Sequence, residues 1–167
     1  MLLWFVGLAP AIVWNVFGDP AIDIRLIVTG ALAPDAVDLV VGGAHSHTLA
    51  APAALLAVTM VATTGRRQLR RRLLALPIGA LLHLVLDGAW TDETVFWWPF
   101  LGGDLASAEI PTANRALPLL AAMEVAGAIA VVWFVRRFRL VERQRRVMFI
   151  QTGRVGRDLV DGPPSWR

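Results

Sequence analysis

Acids and imidazoles placed inside otherwise apolar stretches constrain this chain more than any other feature. Asp35 with Asp38, His45 with His47, and His83 with Asp87 each lie in or beside a run of Ala, Leu and Val. A carboxylate at the centre of a membrane-inserted helix costs about 2.5–3.5 kcal/mol on insertion scales. Six such groups in 167 residues imply that they satisfy one another. A metal ion is the simplest partner they could share.

The runs have the composition of membrane helices. Hydrophobic residues make up 56% of the chain and the mean hydropathy is +0.59, against roughly 45–50% apolar residues in ordinary soluble domains. Cysteine is absent, so disulfides and thiolate metal ligands are excluded. Lysine is absent too, and all sixteen basic residues are Arg. The pI of 11.2 would suit nucleic acid, but position argues for topology instead. Eleven of the Arg fall in two clusters beside apolar runs, residues 66–72 and 136–146. Such clusters mark the cytoplasmic ends of spanning helices and can touch anionic lipid. No nucleic-acid partner is expected.

The fold expected is all-α: a polytopic membrane bundle of about five transmembrane helices. The apolar spans cover roughly residues 2–17, 21–41, 47–64, 73–90 and 118–138. The first lacks the basic stretch of a cleaved signal peptide and is read as a helix. Asp19-Pro20 ends it, and Gly42-Gly43 ends the second. An Arg-rich turn over 65–72 separates the third and fourth spans. A loop over 91–117 follows, broken by Pro99, Gly102, Gly103 and Pro111. Residues 1–138 form the transmembrane domain, and 139–167 a basic cytoplasmic tail, partly disordered around Gly162-Pro163-Pro164. With both Arg clusters inside, the N-terminus lies outside and the chain spans the inner membrane several times. The loop bearing Trp97, Trp98 and Phe100 then faces outward, where such residues form an interfacial belt.

Depth follows from a rise of ~1.5 Å per helical residue. Counted from the nearest inner-end Arg, Asp35 lies ~15 Å deep, Asp38 ~20 Å, His83 ~16 Å, Asp87 ~22 Å, Glu124 ~18 Å and His47 ~28 Å. In a hydrocarbon core ~30 Å thick these groups share the middle and outer half. Asp35 and Asp38 are three apart and His83 and Asp87 four apart, so each pair shares a helix face. His45 and His47 are two apart and diverge on a helix, but a turn at Gly42-Gly43-Ala44 brings His45 within reach. Pro34 removes a backbone hydrogen bond beside the acidic pair.

Each group has a plainer reading as well. Asp38 could be interfacial, the His83–Asp87 pair could glue helices together, and His45 could be a solvated turn residue. Glu124 could complete the shell, act as general base or pair with an Arg. Asp92, Glu93, Asp104 and Glu109 read as solvated loop acids. Arg115 sits at the presumed mouth, as an anion anchor or an ordinary flanking charge. No phosphate-binding Gly loop, nucleophile elbow or kinase signature occurs.

Taken in order, Ala33-Pro34-Asp35-Ala36-Val37-Asp38, Ser46-His47-Thr48-Leu49, His83-Leu84-Val85-Leu86-Asp87 and Trp98-Pro99-Phe100 resemble the YdjM-like family. Its members are described as inner-membrane-associated, metal-dependent hydrolases, distantly akin to zinc-dependent phospholipase C and P1-type nucleases. The resemblance covers roughly residues 20–135 and implies Asp35, Asp38, His47, His83 and Asp87 as ligands. Three departures stand out: an extra residue inside the acidic pair, Leu39 where a further His often follows, and only His45 where His-Arg-Gly is usual.

The function expected is therefore a membrane-embedded metal hydrolase. Zn²⁺, or else Mn²⁺ or Mg²⁺, would be held by Asp35, Asp38, His47, His83 and Asp87 with His45 nearby, since mixed nitrogen and oxygen donors suit zinc. Asp38 or Glu124 would serve as general base. The substrate would be membrane lipid or a lipid-linked or other phosphoester near the outer leaflet. The alternatives are a proton- or ion-coupled transporter and a non-catalytic scaffold with a degenerate site.

Overall fold

The computed structural model describes residues 1–101, 105, 106, 108 and 115–156. These form eight α-helices, with no strand among the described residues. They are α1 (Leu2–Phe17), α2 (Ile24–Val41), α3 (Ala50–Ala62), α4 (Arg67–Leu73), α5 (Ala75–Asp87), α6 (Glu93–Phe96), α7 (Leu117–Arg137) and α8 (Arg143–Thr152). Short 3₁₀ turns at His45–His47 and Ala89–Thr91 complete the description. The expected breakers Gly102, Gly103 and Pro111, the acids Asp104 and Glu109, and the tail end at Gly162-Pro163-Pro164 lie outside the described residues.

Local chemistry sets most boundaries. α1 stops at Gly18, whose left-handed φ of 56° lets its N–H reach the Trp14 carbonyl. α2 starts at Asp23, whose side chain accepts the Arg25 N–H. Asp92 caps α6 by accepting from the Thr94 and Val95 N–H groups. Hydrogen bonds from the Thr94 side chain and these amides hold the Asp92 carboxyl below its usual range. Two segments depart from the sequence reading. The stretch expected as an Arg-rich turn is helical as α4, because Arg, Gln and Leu are strong helix formers. The tail after Arg139 contains α8 and folds back on the bundle through Phe149 in α8 and the buried Val155 beyond it.

α2 and α5 pack with their backbones in contact. A Cβ on Gly30 would strike the Leu76 carbonyl, and one on Gly79 would strike the Ile27 carbonyl. α1 and α7 approach as closely at Gly7 and Gly127. Small residues at such crossings let helix backbones approach closely. The core between α1, α2 and α5 is Phe5, Ala9, Val13, Ile27, Ala31 and Ala75. Trp4 adds a hydrogen bond from its indole N–H to the Leu86 carbonyl at 3.1 Å.

A buried carboxylate fastens one end of the bundle. Asp23 accepts from Arg25 Nε at 3.1 Å, Arg25 Nη2 at 3.0 Å and Arg72 Nε at 3.0 Å. Arg25 Nη1 also donates to the Ile150 carbonyl at 2.6 Å, and the Ile24 N–H donates to the Gly153 carbonyl at 2.8 Å. Burial would push the Asp23 carboxyl up, but hydrogen bonds and charge from Arg25 and Arg72 outweigh it and hold it low. The start of α2, the last turn of α4 and the end of α8 thus share one anchor. Its contribution is present at neutral pH and is lost as acid protonates Asp23 below the ordinary aspartate range.

Among the described residues, α7 alone is long and apolar enough to cross a membrane, with a mean hydropathy of 2.0 over its best window. The five expected spans are therefore not all of that kind. α1 and α3 are apolar but shorter. α2 has 18 residues and carries Arg25, Asp35 and Asp38. The fourth span corresponds mainly to α5, which has only 13 residues and ends at Asp87.

Candidate metal centre

The turn after α2 delivers one imidazole to the face of α2 that holds the acids. Gly42 and Gly43 take φ of 82° and 75°, values that glycine adopts without strain. They reverse the chain so that His47 returns to α2. The segment after α5 clamps this turn on both sides: the Ala44 N–H donates to the Leu105 carbonyl at 3.0 Å and the Leu49 N–H to the Phe96 carbonyl at 2.9 Å. α5 supplies His83 from the opposite side.

Asp35, His47 and His83 form a group that can hold a metal ion. Asp35 Oδ1 lies 3.5 Å from each Nε2, and the two Nε2 atoms lie 3.1 Å apart. In a tetrahedral zinc site with bonds near 2.0–2.1 Å, ligand atoms stand roughly 3.3 Å from one another. The three side chains already match that spacing.

Proton placement sharpens the fit. His83 Nδ1 lies 2.7 Å from the Ala31 carbonyl oxygen, which can only accept, so Nδ1 carries the hydrogen. His47 Nδ1 lies 2.7 Å from Asp38 Oδ2, and Asp38 also accepts the Ser46 N–H at 2.9 and 3.0 Å. Both Asp38 oxygens thus accept, and His47 Nδ1 donates to one of them. In neutral imidazoles both Nε2 atoms then present lone pairs, aimed at each other across 3.1 Å. Only a cation, metal or proton, makes that approach favourable. Packing holds one ring firmly: the His83 imidazole stacks on Phe5 with centroids 4.1 Å apart, and both are fully buried.

The other expected site residues take distinct places. Asp38 stands behind His47, not beside Asp35, although the two acids share a helix. This is the carboxylate–histidine arrangement that orients many metal ligands. Asp87 is buried, with Oδ2 3.6 Å from His47 Nε2 and Oδ1 3.2 Å from Arg115 Nη1. Arg115 Nη2 also donates to the Asp87 carbonyl, so it is tied to the site wall instead of flanking a helix in solvent. His45 is exposed and its Nδ1 contacts the Gly42 carbonyl at 2.9 Å. Glu124 accepts the Leu3 N–H at 3.0 Å and lies 3.8 Å from the terminal amine of Met1. It serves the first turn of α1 and is not aimed at the imidazoles. Trp97, Trp98 and Phe100 are exposed.

Sequence reasoning does not reach Phe5, the Ala31 carbonyl or the Ser46 N–H. Pro34 offers a hint for one of them. Its missing N–H leaves Gly30 without a helical donor, and the next carbonyl along, Ala31, is the one that bonds His83.

Asp38→Asn tests the orienting role. The amide can still accept from His47, but the charge that strengthens the imidazole is gone. Metal affinity should fall 10–100-fold, the usual cost of losing such a partner, with the helical content unchanged. Competition with a zinc-responsive dye reads this directly, and an unchanged affinity would place Asp38 outside the centre.

No family model matches the chain, and no curated protein or solved structure matches it either.

Proposed function

We propose that the chain is a multi-pass inner-membrane hydrolase with a single metal held by Asp35, His47 and His83. The opposed Nε2 atoms of His47 and His83 carry this reading, because their hydrogens are committed elsewhere and a shared cation resolves the contact. Two imidazoles and one carboxylate suit Zn²⁺ better than Mn²⁺ or Mg²⁺. Three protein ligands and an open position are the pattern of catalytic rather than structural zinc.

The membrane part of the proposal rests on exposed apolar surface and on helix length. Leu39, Val40, Val61, Val125 and Ile129 are 59–85% exposed, spread over α2, α3 and α7. Apolar exposure on that scale marks a surface meant for lipid or a partner. At ~1.5 Å per residue, α2 is ~27 Å long and α7 ~32 Å, close to a hydrocarbon core of ~30 Å. The Arg clusters then lie inside and the metal site faces the outer half, as the positive-inside rule requires.

A bound metal would lower the pKa of a ligated water and polarise a substrate oxygen. The protein does the rest. Asp38 and the Ala31 carbonyl fix the two imidazole rings. Asp35, whose side chain is 33% exposed beside wholly buried neighbours, leaves one open side for water and substrate. Asp87, adjacent to His47 Nε2 and held by Arg115, takes the proton from the attacking water. Arg115 meets an anionic oxygen of the substrate, which favours a phosphoester or lipid-linked ester over a neutral one.

The test is turnover of a panel of phosphodiesters and lipid esters by detergent-purified, zinc-loaded protein. Hydrolysis should be lost on chelation and return with Zn²⁺. Failure to cleave any ester, together with cation flux in proteoliposomes that is lost in Asp35→Ala, would replace the hydrolase with a transporter.

A further inference from the structure

A polar cavity lies at the Arg-rich end of the bundle, where Arg72 reaches Asp23 at the start of α2. It occupies about 940 Å³, and Arg66, Arg67, Gln68, Arg70, Arg72 and Arg154 line it. Four of the arginines come from one short stretch. Arg154 arrives from beyond α8, brought there by the Ile24–Gly153 backbone bond and by Arg25 on the Ile150 carbonyl. Sequence spacing alone would not place it beside Arg66.

The charges around this cavity are poorly balanced. Arg72 shares the buried Asp23 with Arg25. Arg70 is fixed by a neutral group, with Nε and Nη2 each 3.3 Å from the hydroxyl and carbonyl oxygens of the fully buried Thr63. Among the described residues, Arg66, Arg67 and Arg154 make no ion pair with a carboxylate. Among the described residues, the five arginines that line this volume share a single counter-charge, Asp23. An anion would relieve their repulsion, and planar guanidinium forks match the oxygens of phosphate. The volume is within the range of small-ligand sites.

We propose that this cavity binds a phosphate group, carried either by an anionic lipid headgroup or by a soluble phosphate compound. The inference does not depend on the metal centre or on its chemistry.

Calorimetric titration of the metal-depleted full chain in detergent tests it. One arm uses glycerol phosphate. The other uses short-chain phosphatidylglycerol against phosphatidylcholine, whose own choline offsets its phosphate. Wild type should bind in at least one arm, saturably and more weakly as salt is added. A response to glycerol phosphate alone assigns a soluble ligand, and one to phosphatidylglycerol alone assigns a headgroup. The triple variant Arg66→Gln, Arg67→Gln, Arg154→Gln should bind about tenfold or more weakly. Equal binding by a triple variant that keeps its helical signal and single gel-filtration peak would overturn the proposal, as would no binding by wild type in either arm. Should the triple variant not fold, Arg154→Gln alone, at an exposed position, carries the same comparison.

Discussion

Purified wild-type protein should carry about one divalent metal per chain, and the Asp35→Ala, His83→Ala double variant should carry none. Elemental analysis of detergent-purified material gives the first readout. Thermal melting gives the second, because a ligand that binds only the folded state raises stability by about 2.7 kcal/mol at a hundredfold excess over Kd. Zn²⁺ should therefore raise the melting temperature of wild type and leave the double variant unmoved. Chelation should lower it only for wild type. The sign is informative: without a cation, wild type keeps two imidazole lone pairs and a carboxylate in close quarters, and the double variant does not. Equal, negligible metal in both proteins would remove the basis for the hydrolase.

Gly79→Leu should prevent the bundle from assembling. The α2 and α5 backbones touch at Gly30 and Gly79, and any side chain there meets a carbonyl of the facing helix, which cannot move aside. Overpacking a site where flexible side chains can yield costs about 1–3 kcal/mol; with backbone as the obstacle the helices must separate. Separation would also take His83 from Asp35, so metal binding should vanish with the fold. Ala36→Leu adds similar bulk on an exposed face of α2 and should leave both intact. Size-exclusion profiles and metal content of the two variants measure the contrast. A well-folded, metal-binding Gly79→Leu protein would mean that α2 and α5 do not cross as described.

Much of the centre is legible in the residues themselves. Charged groups are too costly in apolar helices to be scattered without purpose, so Asp35, His47 and His83 stand out, and the structure brings these three together. Division of labour is beyond that reasoning. Asp35 and Asp38 share a helix face three residues apart, yet one meets the imidazole Nε2 atoms and the other an Nδ1. Only the return of the chain at Gly42-Gly43 decides which. Glu124 reads as a site acid because it is alone in α7. Its partner, the first turn of α1, is supplied by the Gly7–Gly127 crossing, which no local pattern encodes. α8 escapes the sequence reading because its residues form no apolar run. It is helical through propensity and is held by Arg25 and Phe149, contacts that depend on chain reversal. The five-span reading counts apolar stretches, which does not separate a helix able to cross alone from one that needs neighbours to cover its charges.

The stacking of Phe5 on His83 gives the first helix a hold over a metal-capable group to which it contributes no member. α1 supplies a flat wall against which one imidazole must lie, and it is braced in turn by α7 at Gly7 and by Trp4 on the Leu86 carbonyl. Rotating α1 by a few degrees would turn that ring and change how squarely its nitrogen addresses a cation. Reactivity in such a protein could be adjusted from a distance, by changes on α1 or α7 that leave every coordinating residue in place.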